Sequence, residues 1–207
     1  FFNDALRELG QCNVEFRFGC NAVGSATENL LNHEIQNHFP RAKVFNSSYN
    51  LMKYPMMREM LHQPFIRAPV TMWFDHDSYL DVPATPGAVK QWLARVQKTV
   101  TGCNLIGSVQ KTKLTPVQLA WCQNKPWFKK ELADNYLSYV IGGWWAIRTH
   151  LLGELNWPAR EFQQKHGDVF LGAMFKHNNL PLCFFRDGVR INVNDAGVEA
   201  AAPRSVF

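Results

Sequence analysis

Two kinds of hydrophobic pattern alternate along the chain. Short runs that alternate or are continuously apolar read as strands, and stretches with apolar residues three or four apart read as helices. Residues 1–9 have helical spacing. Val14, Phe16 and Phe18 then alternate with Glu15 and Arg17 as in a strand. Ser25-Ala26-Thr27-Glu28 has the form of a capping box ahead of Leu30, Leu31 and Ile35. A short strand over 43–46 follows. Next comes a helix with Pro55 in its first turn and Met56, Met57, Met60 and Leu61 on its inner face. The spacing predicts a strand over 70–75, and a helix opened by Thr85-Pro86 that carries Val89, Trp92, Leu93 and Val96. Beyond it lie a strand over 105–109 and a helix opened by Thr115-Pro116. A strand region over 136–148 is broken by Gly142-Gly143, and Asp168 is placed to cap a helix bearing Val169, Phe170, Met174 and Phe175. Two short strands, 182–185 and 189–193, close the pattern. Strands that alternate with helices predict an α/β fold. The expectation is one Rossmann-like domain over 1–207, with a central, mostly parallel sheet flanked by helices. There is no internal repeat and no linker, and the only biased stretch is the Ala-rich tail at 196–202.

Composition narrows this picture only modestly. The chain has 207 residues, 46 % of them hydrophobic and 19 % charged, which suits one domain with a real core and argues against disorder. No apolar run approaches the ~20 residues of a membrane helix, and Phe1-Phe2-Asn3-Asp4 is unlike a signal peptide. The net charge of +5 permits an anionic partner without demanding one. The five cysteines, Cys12, Cys20, Cys103, Cys122 and Cys183, are scattered. An odd number without short spacing predicts reduced thiols and a cytoplasmic protein.

The sharpest chemical signal is Trp73-Phe74-Asp75-His76-Asp77. An apolar strand delivers two carboxylates at i and i+2, which share a face if strand geometry persists. They fall where open α/β sheets bind ligands, beyond the carboxyl end of a strand. Paired carboxylates call for a cation, and Mg²⁺ or Mn²⁺ would keep positions free for phosphate oxygens. The plainer account is a solvated turn. Gly142-Gly143 lets backbone approach a ligand closely or bulge. Trp144 and Trp145 point to opposite faces of their strand, so one can stack on a sugar or base while the other is core, or both can be packed. The histidines have no metal-ligand spacing. His166 is placed to tune Asp168, or is simply a surface residue. Lysines at 111, 113, 125, 129 and 130, interleaved with Trp121, Trp127 and Phe128, suit a phosphate backbone and a stacked base. A mobile flap with solvated lysines is the ordinary alternative.

In their order and rough spacing these blocks resemble the glycosyltransferases of GT-A fold, family 2-like. Asp75-His76-Asp77 resembles their Asp-x-Asp signature. Asn50, Lys53, Pro55 and Arg58 resemble the helix beneath the nucleotide. The stretch from Ile141 through Gly142-Gly143-Trp144-Trp145 to Arg148 resembles the acceptor strand, and His166-Gly167-Asp168-Val169-Phe170-Leu171-Gly172 resembles the segment carrying the catalytic base. The chain departs from the pattern in having Gly167 where Glu is commoner, and in lacking the C-terminal extension. The family's first strand is expected ahead of residues 1–9, outside this sequence.

The resemblance implies a metal-dependent transfer of a sugar from a nucleotide-sugar, a UDP-sugar being the expected donor, to an acceptor hydroxyl with inversion. It implies Mn²⁺ or Mg²⁺ at Asp75 and Asp77, with Asp77 in direct contact and Asp75 on the donor's ribose or sugar or reaching the metal through water, and donor binding by Asn50, Lys53, Arg58, Asp75 and Asp77. Acceptor binding falls to Gly142, Gly143, Trp144 and Trp145, and Asp168 is the implied general base. The acceptor is a glycan or a nucleic acid, including a hydroxymethylated DNA base of the phage type. A nucleotidyltransferase, and a non-catalytic nucleic-acid or carbohydrate binding module, are the alternative readings.

Overall fold

The computed structural model describes residues 3–132 and 136–191. The Ala-rich tail, Asp195 and the end of the last predicted strand lie outside the described residues.

Helix α1 (Asp4–Gly10) is capped by Asn3, whose side chain accepts from Leu6 N. Strand β1 (Phe16–Asn21) runs parallel to β2 (Ala42–Ser47), with α2 (Ser25–His38) connecting them. Helix α2 begins at the proposed capping box, but its N-cap is Gly24 and no side chain caps it. Helix α3 (Lys53–His62) buries Met56, Met57, Met60 and Leu61 as its spacing predicts. Each such side chain contributes roughly 1.5–3 kcal/mol of burial.

The remaining elements are β3 (Val70–Phe74), β4 (Ser78–Leu80), α4 (Ala88–Cys103), β5 (Leu105–Lys113), α5 (Pro116–Gln123), β6 (Tyr136–Arg148), α6 (Thr149–Glu154), α7 (Gly167–His177), β7 (Leu182–Phe184) and β8 (Val189–Ile191). At α5 the capping box forms in full between Thr115 and Gln118.

The fold is mixed α/β, but the expected central, mostly parallel sheet is corrected to three small sheets. β1 and β2 form one, β4 and β8 another, and the largest has the order β3-β6-β5-β7. In it β6 runs antiparallel to both β3 and β5, and β5 is parallel to β7. Three of its strands therefore run the same way, and β6 is inserted in reverse between two of them. Alternation of helices and strands in sequence predicts parallel neighbours, yet it carries no information about a strand that enters the sheet later and upside down.

The two faces of this sheet carry separate cores. One joins α3, α5, α6 and α7 around Trp145, Trp157, Phe162 and Phe170, and the other joins α1, α4, β4 and β8 around Trp92 and Trp144. The expectation that all cysteines are reduced fails for two of them. Cys103, at the end of α4, and Cys183, in β7, form a disulfide across 80 residues of chain. β7 pairs in parallel with β5, which directly follows α4, and this brings the two thiols together. Cys12, Cys20 and Cys122 are free. No helix among the described residues is long and apolar enough to cross a membrane.

Candidate active site

A cleft of about 1740 Å³ runs along the open edges of β1 and β3. Every residue of 13–21 and of 64–77 lines it. A strand that offered one face would contribute alternate residues, so the unbroken lining shows that both strands present their edges. Charged side chains line it along its length, among them the pairs Arg7–Glu34 and Arg17–Glu15. The groups that the sequence singles out lie at one end, where β1 and β3 finish.

There α3 begins. Asn21, at the end of β1, donates to Asn50 Oδ1 (2.9 Å) and accepts from Leu51 N (2.7 Å). Lys53 N donates to Gln164 Oε1 (3.0 Å), and Lys53 Nζ reaches Asp75 Oδ2 (2.5 Å) and the carbonyl of Gly142 (3.2 Å). Trp73, two residues before Asp75, donates its indole N–H to Asp75 Oδ1 (2.7 Å). The backbone of Asp75 donates to Gly143 O (2.8 Å). The carboxyl end of β3, the start of α3 and the Gly-Gly stretch of β6 thus meet at Asp75.

Strand geometry does not persist through Asp75-His76-Asp77. β3 ends at Phe74, and Ser78 N donates to Asp75 O (3.0 Å) to close a turn. Asp75 and Asp77 both line the cleft, but as turn residues rather than as neighbours on one strand face.

Asp168 lies in the first turn of α7, which begins one residue earlier, at Gly167, with His166 as N-cap in the left-handed region (φ 67°). It is not the N-cap itself, although its Oδ1 accepts from Val169 N (2.9 Å). Its backbone N–H donates to the hydroxyl of Tyr54 (3.1 Å). Burial raises the Asp168 carboxyl above the usual carboxylate value, and the Lys53 ammonium and the Val169 N–H partly oppose the rise. Burial, together with the charge of Asp168, likewise pushes the Tyr54 phenol well above its ordinary value.

The two glycines do different work. A Cβ on Gly142 would lie 3.0 Å from Lys53 Nζ and 3.7 Å from Asp168 Oδ2, so this backbone faces the charged groups. A Cβ on Gly143 would lie 2.5 Å from Ile191, in β8.

Three expectations are corrected. Arg58 is outside the cleft: it donates to Pro158 O (2.5 Å) and Asn156 Oδ1 (2.9 Å), and so ties α3 to the segment after α6. Trp144 and Trp145 do face opposite ways, but both are core, at 0 % and 2 % exposed, so neither offers a ring to an acceptor. The aromatics of the basic segment are packed as well. Trp121 sits 4.3 Å from the Phe170 ring, with Lys125 over its own ring (4.1 Å) and paired to Glu161 (2.6 Å).

Sequence reasoning missed Asn21, Tyr54, Trp73 and Gln164 as parts of the site. Only Trp73 carried a usable signal, an indole N–H two residues before a carboxylate. The others are joined to the site by contacts of long sequence separation.

The arrangement does not fit a resident divalent cation at Asp75, and the donors that occupy Asp75 do not reach Asp77 in the turn beyond it. Both carboxylate oxygens of Asp75 already accept from nitrogen donors, one of them an ammonium at 2.5 Å. A cation at the usual 2.0–2.6 Å from the same oxygen would be held against that like charge, as a rough geometric rule.

No protein-family model matches the chain, and no curated protein matches it. The site therefore stands on its own chemistry: an ammonium bridging a carboxylate and a backbone carbonyl, with a second, desolvated carboxyl nearby.

Proposed function

We propose that the protein is a glycosyltransferase that moves a sugar from a nucleotide-sugar, a UDP-sugar being the expected donor, to the hydroxyl of a glycan or nucleic-acid acceptor. The observation that carries this reading is the convergence of Lys53, Asp75, Gly142 and Asp168 at the carboxyl ends of β1 and β3. These residues come from four separate sequence blocks, and a glycosyltransferase would need them at one place.

In this reading the acceptor oxygen attacks the anomeric carbon, the bond from that carbon to the diphosphate oxygen breaks, and the configuration inverts. Asp168 takes the acceptor's proton. Its raised pKa suits a base, because a proton acceptor works best when its pKa lies nearer the working pH. The charge that develops on the departing diphosphate is met by Lys53. A cytoplasmic location is not part of this proposal, because the Cys103–Cys183 disulfide is of a kind favoured in oxidising compartments.

The test is a donor screen. Thermal unfolding is followed with UDP-, GDP-, TDP- and CMP-sugars, and then release of the nucleotide leaving group is measured, a nucleoside diphosphate from the first three and CMP from the last. One nucleotide-sugar should raise the midpoint and be turned over. Release of pyrophosphate from a nucleoside triphosphate and a sugar phosphate would favour a nucleotidyltransferase instead.

A further inference from the structure

Lys53 has more contacts than a solvated lysine needs. Its ammonium carries three N–H donors. One goes to Asp75 Oδ2 (2.5 Å) and one to Gly142 O (3.2 Å). The side chain is 20 % exposed and lines the cleft, so the third donor has a ligand-accessible volume beside it. The surroundings are shaped to hold the ammonium in place. Gln164 accepts from the Lys53 backbone at the start of α3, and Trp73 holds the far oxygen of Asp75, leaving the near one to the ammonium. The absence of a side chain at 142 leaves room for Nζ, because a Cβ there would sit 3.0 Å away. The Lys53 ammonium is thus held by Asp75 and the Gly142 carbonyl, with its backbone fixed by Gln164, beside a carboxylate that would otherwise be open to a metal.

We propose that Lys53 is the built-in cation of this site: it takes at Asp75 the place of a divalent ion and binds the diphosphate of a nucleotide through its remaining N–H, so that diphosphate binding requires Lys53 and no metal. This rests on the reading of the cleft as a nucleotide-sugar site and names how that site holds its anion. An ammonium gives a diphosphate a point charge with adjustable donors. Its bond to Asp75 sets where that charge sits.

Isothermal titration of UDP and of GDP into the full chain decides the matter, in EDTA and again with Mn²⁺. The wild type should bind one of them in EDTA, with an affinity that Mn²⁺ changes less than about threefold. Lys53→Gln should weaken binding in EDTA about 10- to 100-fold, the usual worth of a charge-assisted hydrogen bond. Mn²⁺ should restore part of that loss, because Asp75 is then open to a cation. Lys53→Arg should keep more affinity in EDTA than Lys53→Gln. Binding by the wild type only when Mn²⁺ is present would overturn the proposal and leave the glycosyltransferase reading standing. Equal affinity of wild type and Lys53→Gln in EDTA would also overturn it. No binding of either nucleotide in either condition would overturn this proposal, and the glycosyltransferase reading falls with it if TDP- and CMP-sugars also fail to bind. Gly142→Val supplies an independent check that keeps the ammonium in the chain: it should displace Nζ and weaken binding in EDTA, and unchanged affinity in that variant counts against the proposal.

Discussion

Two adjacent pairs on β6 have opposite fates. Gly142-Gly143 lies at the cleft, where backbone atoms meet Lys53 and Asp75, whereas Trp144-Trp145, the next two residues, are buried in the two separate cores. The strand runs through both pairs, but its register with β5 shifts there: Trp145 pairs with Gly107 and Val140 with Val109, so Ile141 to Trp144 stand opposite Ser108 alone, a bulge of the kind glycines permit. The rest of the difference comes from what lies above and below. At 144 and 145 the sheet is covered on both faces by helices, and large rings fill the space. At 142 one face looks into the cleft, and a side chain would meet the ammonium. The same strand therefore anchors the fold with its tryptophans and leaves its backbone free for chemistry two residues earlier. The candidate site is marked here by the absence of side chains, and the core by the largest ones.

The strongest way to break this contrast is to remove the rings. Trp144→Ala and Trp145→Ala should each lower stability by roughly 3–5 kcal/mol in chemical denaturation, without a specific effect on nucleotide binding per folded molecule. A large loss of ligand affinity from one of them, at preserved stability, would return that ring to the site.

The converse variant lies on the cleft side. Asp168→Asn should lose about two to four orders of magnitude in kcat, the usual worth of a positioned base, while folding normally. The sign of the stability effect follows from linkage. The folded state holds the Asp168 proton more tightly than the unfolded chain does, because burial raises its pKa. That stabilisation is fully present below the ordinary carboxylate value and is lost as pH rises through the raised folded value. The variant should therefore gain stability relative to wild type on going from acid to neutral pH. Wild-type kcat should fall as pH drops through the raised value, since the base must be ionised. Near-normal kcat in a folded Asp168→Asn protein would leave Asp168 as a helix-end residue only.

A smaller effect separates the two glycines. Gly143→Ala should cost roughly 1–3 kcal/mol, because its Cβ would press on Ile191 and β8 must yield. Gly142→Ala should cost less than about 1 kcal/mol, because only the end of a flexible lysine must move, and its larger consequence should be weaker nucleotide binding. Equal stability losses would mean that both glycines serve packing alone. Denaturant titrations paired with nucleotide titrations measure both quantities.

Local patterns in the sequence carried much of this molecule. The Met face of α3 was legible because burial of one helix face leaves a period of three and four. The capping box of α5 was legible because Thr115 and Gln118 satisfy each other within one turn. The opposed directions of Trp144 and Trp145 follow from strand geometry alone. The blocks that supply Lys53, Asp75, Gly142 and Asp168 were also visible as separate signals. What covers each residue was decided by the tertiary structure. Whether Trp144 meets a ligand or another helix depends on α4 and β8, and whether Arg58 faces the cleft depends on a segment about 100 residues away. The reversed insertion of β6, the Cys103–Cys183 pairing and the meeting of Lys53 with Asp75 share one physical origin. Each is a contact between segments distant in sequence, formed only when packing of the whole chain offsets the entropy of bringing them together, and no local pattern records which distant partner that packing selects.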